Sequence, residues 1–285
     1  MNILKSAEEM KAWADKVHSQ GHKLALVPTM GFLHAGHLSL VREAQERCTK
    51  VVVSLFVNPT QFAPGEDLTT YPNDIDGDLE KLKSMGVDAV FMPTPSTVYP
   101  DGFDTFIAPD KLGQDLCGAS RPIHFRGVCT VVAILFRVTR CDSAVFGQKD
   151  YQQLQIIKRM NRDLHLGVDV IGMPIIREND GLAMSSRNAY LSATERQQAL
   201  CLSQSLEWAQ RRVKDGERDV ETLSNGIRQQ IQAHPLASID YVKLVDAETL
   251  EAVRDLEKPV LCALAVQLGN TRLIDNLVLT PLSAA

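Results

Sequence analysis

The sequence predicts an α/β fold, a doubly wound parallel sheet with a smaller C-terminal α+β domain. Short apolar runs alternate with amphipathic helical segments through the first 176 residues, and this alternation is typical of parallel strands joined by helices. The runs are apolar on both faces, as in strands that are covered on both sides. Beyond about residue 190 the order changes to helices followed by consecutive strands, which indicates a separate unit.

Each predicted element of the first part has a local signal. The run "KLALVPTM" is apolar and ends at Pro28 and Gly31, which break regular structure. "KVVVSLFVN" is β-branched and apolar, and Gly86 closes the helix before "VDAVFMP" as a C-cap. In chain order we predict helix 5–20, strand 23–30, helix 36–48, strand 50–58, helix 76–86, strand 87–93, a segment of helical spacing over 127–140, strand 143–147, helix 151–164 and strand 167–176.

The C-terminal part is predicted as two helices and three short strands. The helices cover 193–214, which is rich in Gln, Ala, Leu and Arg, and 219–233. The strands are "IDYVKLVD", "PVLCALAVQ" and "TRLIDNLVL". We place the boundary within 176–190 and divide the chain into residues 1–176 and 177–285.

Composition and charge argue against several classes of protein. The 285 residues are 45% hydrophobic and 23% charged, as in ordinary globular proteins, and the net charge of -5 argues against a nucleic-acid partner. No apolar run reaches the length of a membrane span, and the charged N-terminus does not resemble a secretory signal. The six scattered cysteines form no Cys-x-x-Cys pair, so we expect thiols in a reducing compartment and a cytoplasmic protein.

The segment "PTMGFLHAGHLSLVREA", residues 28–44, places His34 and His37 where a strand turns into a helix. Ligands of open α/β sheets bind at the carboxyl ends of the strands. A helix N-terminus offers free N–H groups and partial positive charge to an anion. Two imidazoles three residues apart share a helix face and can donate to phosphate oxygens without permanent charge. The segment therefore predicts a phosphate-binding site.

The segment also resembles other kinds of site. The spacing from Gly31 to Gly36 resembles half of a P-loop, but His37 stands where a Walker A motif has Lys. No G-x-G-x-x-G fingerprint occurs, and no carboxylate or cysteine stands at ligand spacing to complete a zinc site. The plain alternative is that both histidines cap the helix or lie on the surface.

Two further segments follow strand ends. In "FVNPTQF", Asn58 and Gln61 offer neutral amides that suit a small polar substrate, with an ordinary polar turn as the alternative. In "FGQKDYQQL" a glycine permits close backbone approach, Lys149 is a mobile cation suited to phosphate, and Asp150 can accept from a sugar hydroxyl or hold Lys149. Gln153 lies one helical turn further on. The alternative interpretation is that this segment is only the charged beginning of a helix.

Two basic segments complete the set. "GLAMSSRN" supplies Ser185, Ser186 and the forked guanidinium of Arg187 for phosphate, at the predicted domain boundary. "ASRPIHFRGV" forms a basic cluster that suits a carboxylate substrate, with a solvated basic loop as an equal alternative. The members of this cluster are Arg121, His124 and Arg126.

The run His34-Ala35-Gly36-His37 resembles the HxGH motif of the nucleotidylyltransferase superfamily, and "MSSRN" resembles its KMSKS loop. Together with "VVVSLFVNPTQF", "YP" at 71–72, "ASRPIHFRGV" and "FGQKDYQQL", these segments occur in the order typical of the pantothenate synthetase family and span most of 27–191. Beyond residue 191 the similarity is in overall plan. Gln148 departs from the pattern, since many members have Glu there, and we expect it to alter local charge more than mechanism.

The resemblance implies an AMP-forming ligase with ATP as a substrate and Mg²⁺, which joins (R)-pantoate to β-alanine through a pantoyl adenylate and releases pyrophosphate. It also implies a homodimer, a Rossmann-like nucleotide- and pantoate-binding domain over 1–176 and a lid domain over 177–285. Asp78 is implied as a metal ligand, with a helix-face carboxylate as an equal alternative. The implied catalytic residues are His34, His37, Lys149 and Arg187. The implied ATP-binding residues are Met30, Gly31, Phe32, Leu33, His34, Ala35, Gly36, His37, Gly147, Gln148, Lys149, Asp150, Ile176, Met184, Ser185, Ser186 and Arg187. The implied pantoate-binding residues are Met30, Asn58, Gln61 and Gln153, and Gln61 is also implied for β-alanine.

Two rival functions remain open. A nucleotidyltransferase that moves AMP or CMP onto a phosphorylated acceptor would share the HxGH run and the serine–arginine loop. It would not need "VNPTQF" with a downstream Gln153, which suits a carboxylate with hydroxyl groups. A non-catalytic nucleotide-binding module would be expected to lose the phosphate-facing residues, whereas this chain keeps His34, His37, Lys149 and Arg187.

Overall fold

The computed structural model describes residues 1–281 and divides into two compact units. The first unit contains Met1–Gln148 and Gln153–Pro174, and the second contains Lys149–Gln152 and the chain from Ile175 onward. The short segment that follows the fifth strand of the first unit therefore clusters with the second. The binding and lid roles expected for residues 1–176 and 177–285 stay predictions.

The first unit is built on a six-stranded parallel sheet flanked by helices, as the sequence predicts. The order across the sheet is β1-β4-β3-β2-β5-β6. The strands are β1 (Asn2–Leu4), β2 (Leu24–Thr29), β3 (Lys50–Leu55), β4 (Ala89–Phe91), β5 (Ser143–Gly147) and β6 (Asp169–Met173). The helices that accompany them are α1 (Ala7–Ser19), α2 (Ala35–Arg47), α3 (Ile75–Ser84), α4 (Pro95–Val98), α5 (Cys117–Ser120), α6 (His124–Thr139) and α7 (Tyr151–Asp163).

The central strand β2 is buried on both faces because helices cover both sides of it. Ala25 and Val27 belong to one apolar cluster with residues of α2 and of the neighbouring strands. Alternate residues of a strand point to opposite faces, so Leu24 and Leu26, both fully buried, face the other side. There α6 and α1 contact β2. This double cover explains the continuous apolar run in the sequence.

The order of the strands reverses its direction at β2, which makes β2 the topological switch point of the sheet. The chain runs outward from β2 to β3 and β4 on one side, and to β5 and β6 on the other. β2 pairs in parallel with both β3 and β5, so the carboxyl ends of these three strands lie at the same edge of the sheet. Ligands of doubly wound sheets bind in the crevice at such a point. The segments that leave β2, β3 and β5 are the three singled out from the sequence.

The second unit contains helices packed on a three-stranded antiparallel sheet in the order β7-β8-β9. Apolar residues from the helices and the strands form one buried cluster. The helix predicted over 193–214 is wrong as a single element, because it is divided at Leu200. The strands are 10, 9 and 9 residues long, so they are not short. The elements are α8 (Ala193–Ala199), α9 (Cys201–Lys214), α10 (Val220–Gln232), β7 (Ala237–Asp246), β8 (Val260–Leu268) and β9 (Thr271–Leu279).

Other differences from the predicted elements are local. The three-residue strand β1 was not predicted, since it is too short for periodicity to show and depends on pairing with β4. The strand predicted over 50–58 ends at Leu55, because Asn58 caps a short 3₁₀ helix over Pro59–Gln61. All six cysteines are buried free thiols. Within residues 1–281, no helix combines the length and apolarity that crossing a bilayer requires.

Candidate active site

The loop after β2 turns sharply into α2. Gly31 has φ of 86° and Phe32 has φ of 52°, so two successive residues adopt the left-handed conformation. Glycine adopts it without cost, but a phenylalanine does not. The turn brings His34 to the N-cap position of α2, in an extended conformation. The loop therefore depends on contacts that hold Phe32 in place.

Asp78 supplies those contacts from the first turn of α3. Its carboxylate accepts hydrogen bonds from the Phe32 N–H at 2.6 Å and from the Leu33 N–H at 2.7 Å. Asp78 is 1% exposed, and its oxygen lies 3.3 Å from the position that a Cβ on Gly31 would occupy. Lys81 lies 3.4 Å away and partly offsets the buried charge. Asp78 is thus a structural anchor of the loop in this arrangement, whereas its expected role as a metal ligand stays a prediction.

The two imidazoles of the loop lie together at the start of α2. Their ring centroids are 4.1 Å apart. The Nδ1 atom of His34 accepts from the Gly36 N–H at 3.2 Å, and the Nδ1 atom of His37 accepts from the His34 N–H at 3.4 Å. A nitrogen that accepts from an N–H carries no proton, so the proton of each neutral ring is on Nε2. Both histidines therefore cap the helix and also carry an Nε2–H donor.

Asn58 and Gln61 form a second cluster after β3, together with Met30. The Asn58 Nδ2 donates to the Gln61 Oε1 at 3.1 Å, and the Gln61 Nε2 approaches the Met30 sulfur at 3.2 Å. The two amides are almost fully buried. A Cβ on Gly127 would lie 2.4 Å from the Thr60 carbonyl oxygen, so this glycine lets α6 contact the turn directly. No motif in the sequence indicated Gly127 as a support of this cluster.

The basic cluster at the start of α6 contains a carboxylate of the chain itself. Glu66 accepts from the Arg121 guanidinium through two bonds of 2.7 Å. Burial alone would raise the pKa of Glu66, but its hydrogen bonds and ion pair with Arg121 outweigh burial and hold the pKa below its ordinary value. Arg121 and the His124 ring both reach the Gln61 carbonyl oxygen. The cluster therefore supports the Gln61 turn, and Glu66 is a member that no sequence motif indicated.

The end of β5 carries Gly147 and Gln148 in the first unit. The Gln148 Nε2 donates to the Gly172 carbonyl oxygen at 3.4 Å, a bond that an ionised Glu could not make. This contact gives a local reason for the neutral side chain. Gln153 is half-buried on α7. Within residues 1–281 no hydrogen bond joins Gln153 to Gln61. The expectation that both glutamines bind pantoate stays a prediction.

Lys149 and Asp150 belong to the second unit, where Lys149 is half-buried and Asp150 is exposed. The Lys149 backbone is held by Asn276, whose side chain donates to its carbonyl oxygen at 2.8 Å. Because this hydrogen bond uses the backbone of Lys149, the ammonium group of its side chain takes no part in it. Asn276 follows Asp275 on β9, and neither was predicted as a support.

The serine–arginine loop is held at both ends in the second unit. The Met184 N–H donates to the Ile176 carbonyl oxygen at 3.0 Å, which joins two residues expected to contact ATP. Ser185 caps a short 3₁₀ helix by accepting from the Arg187 N–H, and Ser186 is buried. Before the loop, Arg177 forms a two-bond ion pair with the buried Asp275. The bonds measure 2.6 and 3.0 Å.

A protein-built metal centre is not supported by the donor set. In the described part of the chain, no three His, Cys, Asp or Glu side chains converge in a way that could hold an ion. Both oxygens of Asp78 already accept from backbone N–H groups. Mg²⁺ is commonly held by one or two carboxylates together with substrate phosphates. A site of that kind needs no cluster of three protein ligands, so the expected use of Mg²⁺ stays a prediction.

A doubly wound sheet with paired imidazoles and buried amides beside its switch point defines a nucleotide-binding α/β enzyme. The model of the family described as "Pantoate-beta-alanine ligase" matches residues 2–278. The chain belongs to this family. It is therefore a ligase that joins pantoate and β-alanine.

Similar proteins cover the chain over almost its whole length. A pantothenate synthetase of Heliobacterium modesticaldum is 52% identical over 98% of this chain and 99% of its own. One of Myxococcus xanthus is 51% identical over 97% and 96%. Among solved structures, pantothenate synthetase from Thermus thermophilus superimposes with a TM-score of 0.94 at 40% identity, covering 99% of this chain and 100% of that one. The Francisella tularensis ligase, solved in complex with β-γ ATP and β-alanine, gives 0.80 at 33% identity over 98% and 97%.

Proposed function

We propose that the ligase reaction proceeds through a pantoyl adenylate. A carboxylate oxygen of (R)-pantoate attacks the α-phosphorus of ATP, and the bond from that phosphorus to the bridging oxygen of pyrophosphate breaks. The amine of β-alanine then attacks the acyl carbon and loses a proton, and the bond from that carbon to the AMP oxygen breaks. The products are pantothenate, AMP and pyrophosphate. Support for the use of ATP comes from the related Francisella tularensis ligase, which was solved with β-γ ATP and β-alanine.

The observation that carries this proposal is the pair of backbone hydrogen bonds accepted by the Nδ1 atoms of His34 and His37 at the start of α2. These hydrogen bonds select the tautomer of His34 and His37 that can donate to phosphate oxygens. The helix N-terminus adds partial positive charge and N–H groups for the same anion. Phosphoryl transfer depends mainly on positioning and on charge stabilisation at the reacting phosphorus. We assign His34 and His37 to that task.

The amide cluster is proposed as the pantoate site. Gln61 offers an Nε2–H donor beside Met30, which suits an acceptor oxygen of a hydroxyl or carboxyl group. Asn58 holds the Gln61 carboxamide in this orientation. Gln153 is proposed as a second pantoate contact, and Gln61 also as a contact of β-alanine. A neutral donor is appropriate because the pantoate carboxylate must remain a nucleophile.

The second unit contributes the charged groups of the proposal. Lys149 and Arg187 are proposed to donate to phosphate oxygens of ATP, and Asp150 to accept from its ribose hydroxyls. The Lys149 backbone is held by Asn276, so its side chain can serve a ligand. The other proposed nucleotide contacts come from the loop after β2, the end of β5 and the serine–arginine loop. They are Met30, Gly31, Phe32, Leu33, Ala35, Gly36, Gly147, Gln148, Ile176, Met184, Ser185 and Ser186.

Four further properties are proposed as well. Mg²⁺ is proposed to enter with ATP, held mainly by phosphate oxygens, since the described residues build no metal centre of their own. A homodimer is proposed from the resemblance, and a cytoplasmic location is proposed because the six free thiols suit a reducing compartment. A lid role for residues 177–285 is proposed because an acyl adenylate must be protected from water.

The deciding experiment follows the two half-reactions separately. Pyrophosphate is measured with ATP, Mg²⁺ and (R)-pantoate, and AMP and pantothenate are measured after β-alanine is added. We expect pantoate-dependent pyrophosphate release first, and AMP only with β-alanine. If a folded, ATP-binding preparation releases no pyrophosphate with pantoate, the adenylate route is refuted, and phosphorylated acceptors are then tested for nucleotidyl transfer.

A further inference from the structure

We infer that Tyr99 is a positioning residue for pantoate, acting through Asn58 on the carboxamide of Gln61. The inference rests on the pantoate role proposed for Gln61. Tyr99 follows α4 and is far from the strand-end segments in sequence, so no motif marks it. Its hydroxyl donates to the Asn58 Oδ1 at 2.7 Å. The three side chains form a continuous chain of hydrogen bonds within the first unit.

The orientation of the Asn58 amide is determined by its backbone partners. Its Nδ2 lies 3.2 Å from the Gly127 carbonyl oxygen, which can only accept. Its Oδ1 lies 3.4 Å from the Thr60 N–H, which can only donate. The oxygen and nitrogen of the amide therefore cannot be exchanged without placing two like groups together.

The orientation of the Asn58 amide determines the orientation of the Gln61 carboxamide. The second Asn58 Nδ2 hydrogen bond goes to the Gln61 Oε1 at 3.1 Å, so the oxygen of the Gln61 carboxamide faces Asn58. The Gln61 Nε2 then faces the opposite way, toward the Met30 sulfur at 3.2 Å. A thioether sulfur is a weak acceptor, so a substrate oxygen would be a better partner for this donor. The chain thus presents an N–H group to the substrate rather than a carbonyl.

Tyr99 strengthens this arrangement from the far side of Asn58. Two hydroxyl groups, of Tyr99 and Thr60, converge on the Asn58 Oδ1, and they also lie 3.0 Å from each other. Burial raises the pKa of Tyr99, against the effect of its hydrogen bonds, so the phenol stays neutral and keeps its proton. Asn58 is 1% exposed, and water cannot easily replace a lost partner there. Connected polar groups of this kind rigidify one another.

The test compares Tyr99→Phe with the wild-type enzyme in steady-state kinetics. A single neutral hydrogen bond predicts that the KM for pantoate rises about fivefold, which corresponds to about 1 kcal/mol. The KM for ATP and kcat are expected to stay within about twofold of wild type. Tyr241→Phe, which removes a phenolic hydroxyl from β7 in the other unit, is the matched control. Unchanged pantoate KM, or an equal rise in both KM values, overturns the inference.

A double-mutant cycle tests whether Tyr99 acts on pantoate through Gln61, separately from whether Gln61 binds pantoate. The Kd of (R)-pantoate is measured by calorimetry with α,β-methylene-ATP, in wild type, Tyr99→Phe, Gln61→Ala and the double variant. If Tyr99 acts through Gln61, Tyr99→Phe weakens pantoate binding in wild type but not in Gln61→Ala. If Tyr99→Phe still weakens pantoate binding in the Gln61→Ala background, the inference that Tyr99 acts through Gln61 is overturned. If Gln61→Ala itself leaves the Kd unchanged, the proposed pantoate role of Gln61 fails instead.

A spectroscopic readout covers the case in which the Gln61→Ala enzyme binds too weakly to titrate. The side-chain amide resonance of Gln61 is identified in a ¹⁵N-labelled sample by its loss in Gln61→Ala. We expect it to shift in Tyr99→Phe and to stay in place in Tyr241→Phe. An unchanged resonance in Tyr99→Phe overturns the inference.

Discussion

Asp78→Asn tests how the HxGH loop is held. The carboxylate now accepts two charge-assisted hydrogen bonds, at 2.6 Å from the Phe32 N–H and 2.7 Å from the Leu33 N–H. An asparagine can accept only one of them, and its NH₂ group must face the other N–H. Hydrogen bonds to charged groups contribute about 1.5–3 kcal/mol each. We therefore expect the free energy of unfolding to fall by about 2–3 kcal/mol, with a melting temperature about 5–10 °C lower.

The same change is expected to impair catalysis more than folding. Phe32 occupies a left-handed conformation that Asp78 stabilises, and His34 caps the helix two residues later. A shift of about 1 Å in a catalytic group can reduce the rate about 100-fold. We expect a loss of that size in pantoate-dependent pyrophosphate release. Asp76→Asn, on the exposed face of the same helix turn, is the control and should retain wild-type activity.

Magnesium distinguishes the structural role of Asp78 from a role as metal ligand. If Asp78 anchors the loop, activity of Asp78→Asn stays low at every Mg²⁺ concentration, and the half-saturating concentration is unchanged. If excess Mg²⁺ restores the activity while the melting temperature matches wild type, the anchoring argument is refuted and the metal assignment is supported.

Three further changes test groups that carry a charge or donate a hydrogen bond. Lys149→Ala is expected to lower adenylate formation about 1,000-fold or more, because a cation at transferring phosphate is lost; pyrophosphate release measures it. His37→Ala is expected to lower kcat about 100-fold with an almost unchanged KM for ATP, as for a donor that acts in the transition state. Glu66→Gln is expected to lower the free energy of unfolding by about 1–2 kcal/mol at pH 7. Because its folded pKa is lowered, this difference is complete above the ordinary value of 4.5 and disappears as the pH falls through the lowered value.

Each of these changes has a contradicting outcome, and the first two have a control variant. Lys158→Ala removes an exposed lysine from α7, and pyrophosphate release by Lys149→Ala within about threefold of wild type would count against its phosphate role. His234→Ala is the control for His37→Ala, for which an effect confined to the KM for ATP would exclude a transition-state role. For Glu66→Gln, denaturation at several pH values is the measurement. A difference that grows below pH 4.5 would contradict the ion pair with Arg121.

Much of the fold was predictable because its signals are local. The double apolar face of β2 indicated a buried parallel strand, and the helix covers on both sides confirm it. Gly31 marked a turn, and its φ of 86° shows why a residue without a Cβ is used there. The position of His34 and His37 at a helix start was also predictable from neighbouring residues. The prediction missed β1 because a three-residue strand is too short to show a pattern. It joined α8 and α9 into one helix because the helical pattern of the sequence continues across the break at Leu200.

The chemical types of the site residues could likewise be predicted from the sequence, but the residues that hold them in place could not. Asp78 stands 46 residues from Phe32, and Arg121 stands 55 residues from Glu66. Tyr99 stands 41 residues from Asn58. No periodicity or motif records such pairs, because they depend on which strands become neighbours in the sheet. The sequence could therefore name the groups that suit ATP and pantoate, but not what orients them.

The sequence by itself determined the order of strands and helices, the family to which its motifs are similar, and the imidazole, amide and cationic groups available for the reaction. Only the tertiary structure decided that the Nδ1 atoms of both histidines accept backbone hydrogen bonds, that Asp78 anchors their loop, and that Gln61 presents its N–H side. The physical reason is that apolar pattern and turn chemistry act between near neighbours, whereas a hydrogen-bond direction depends on whichever distant partner the folded chain brings within about 3 Å.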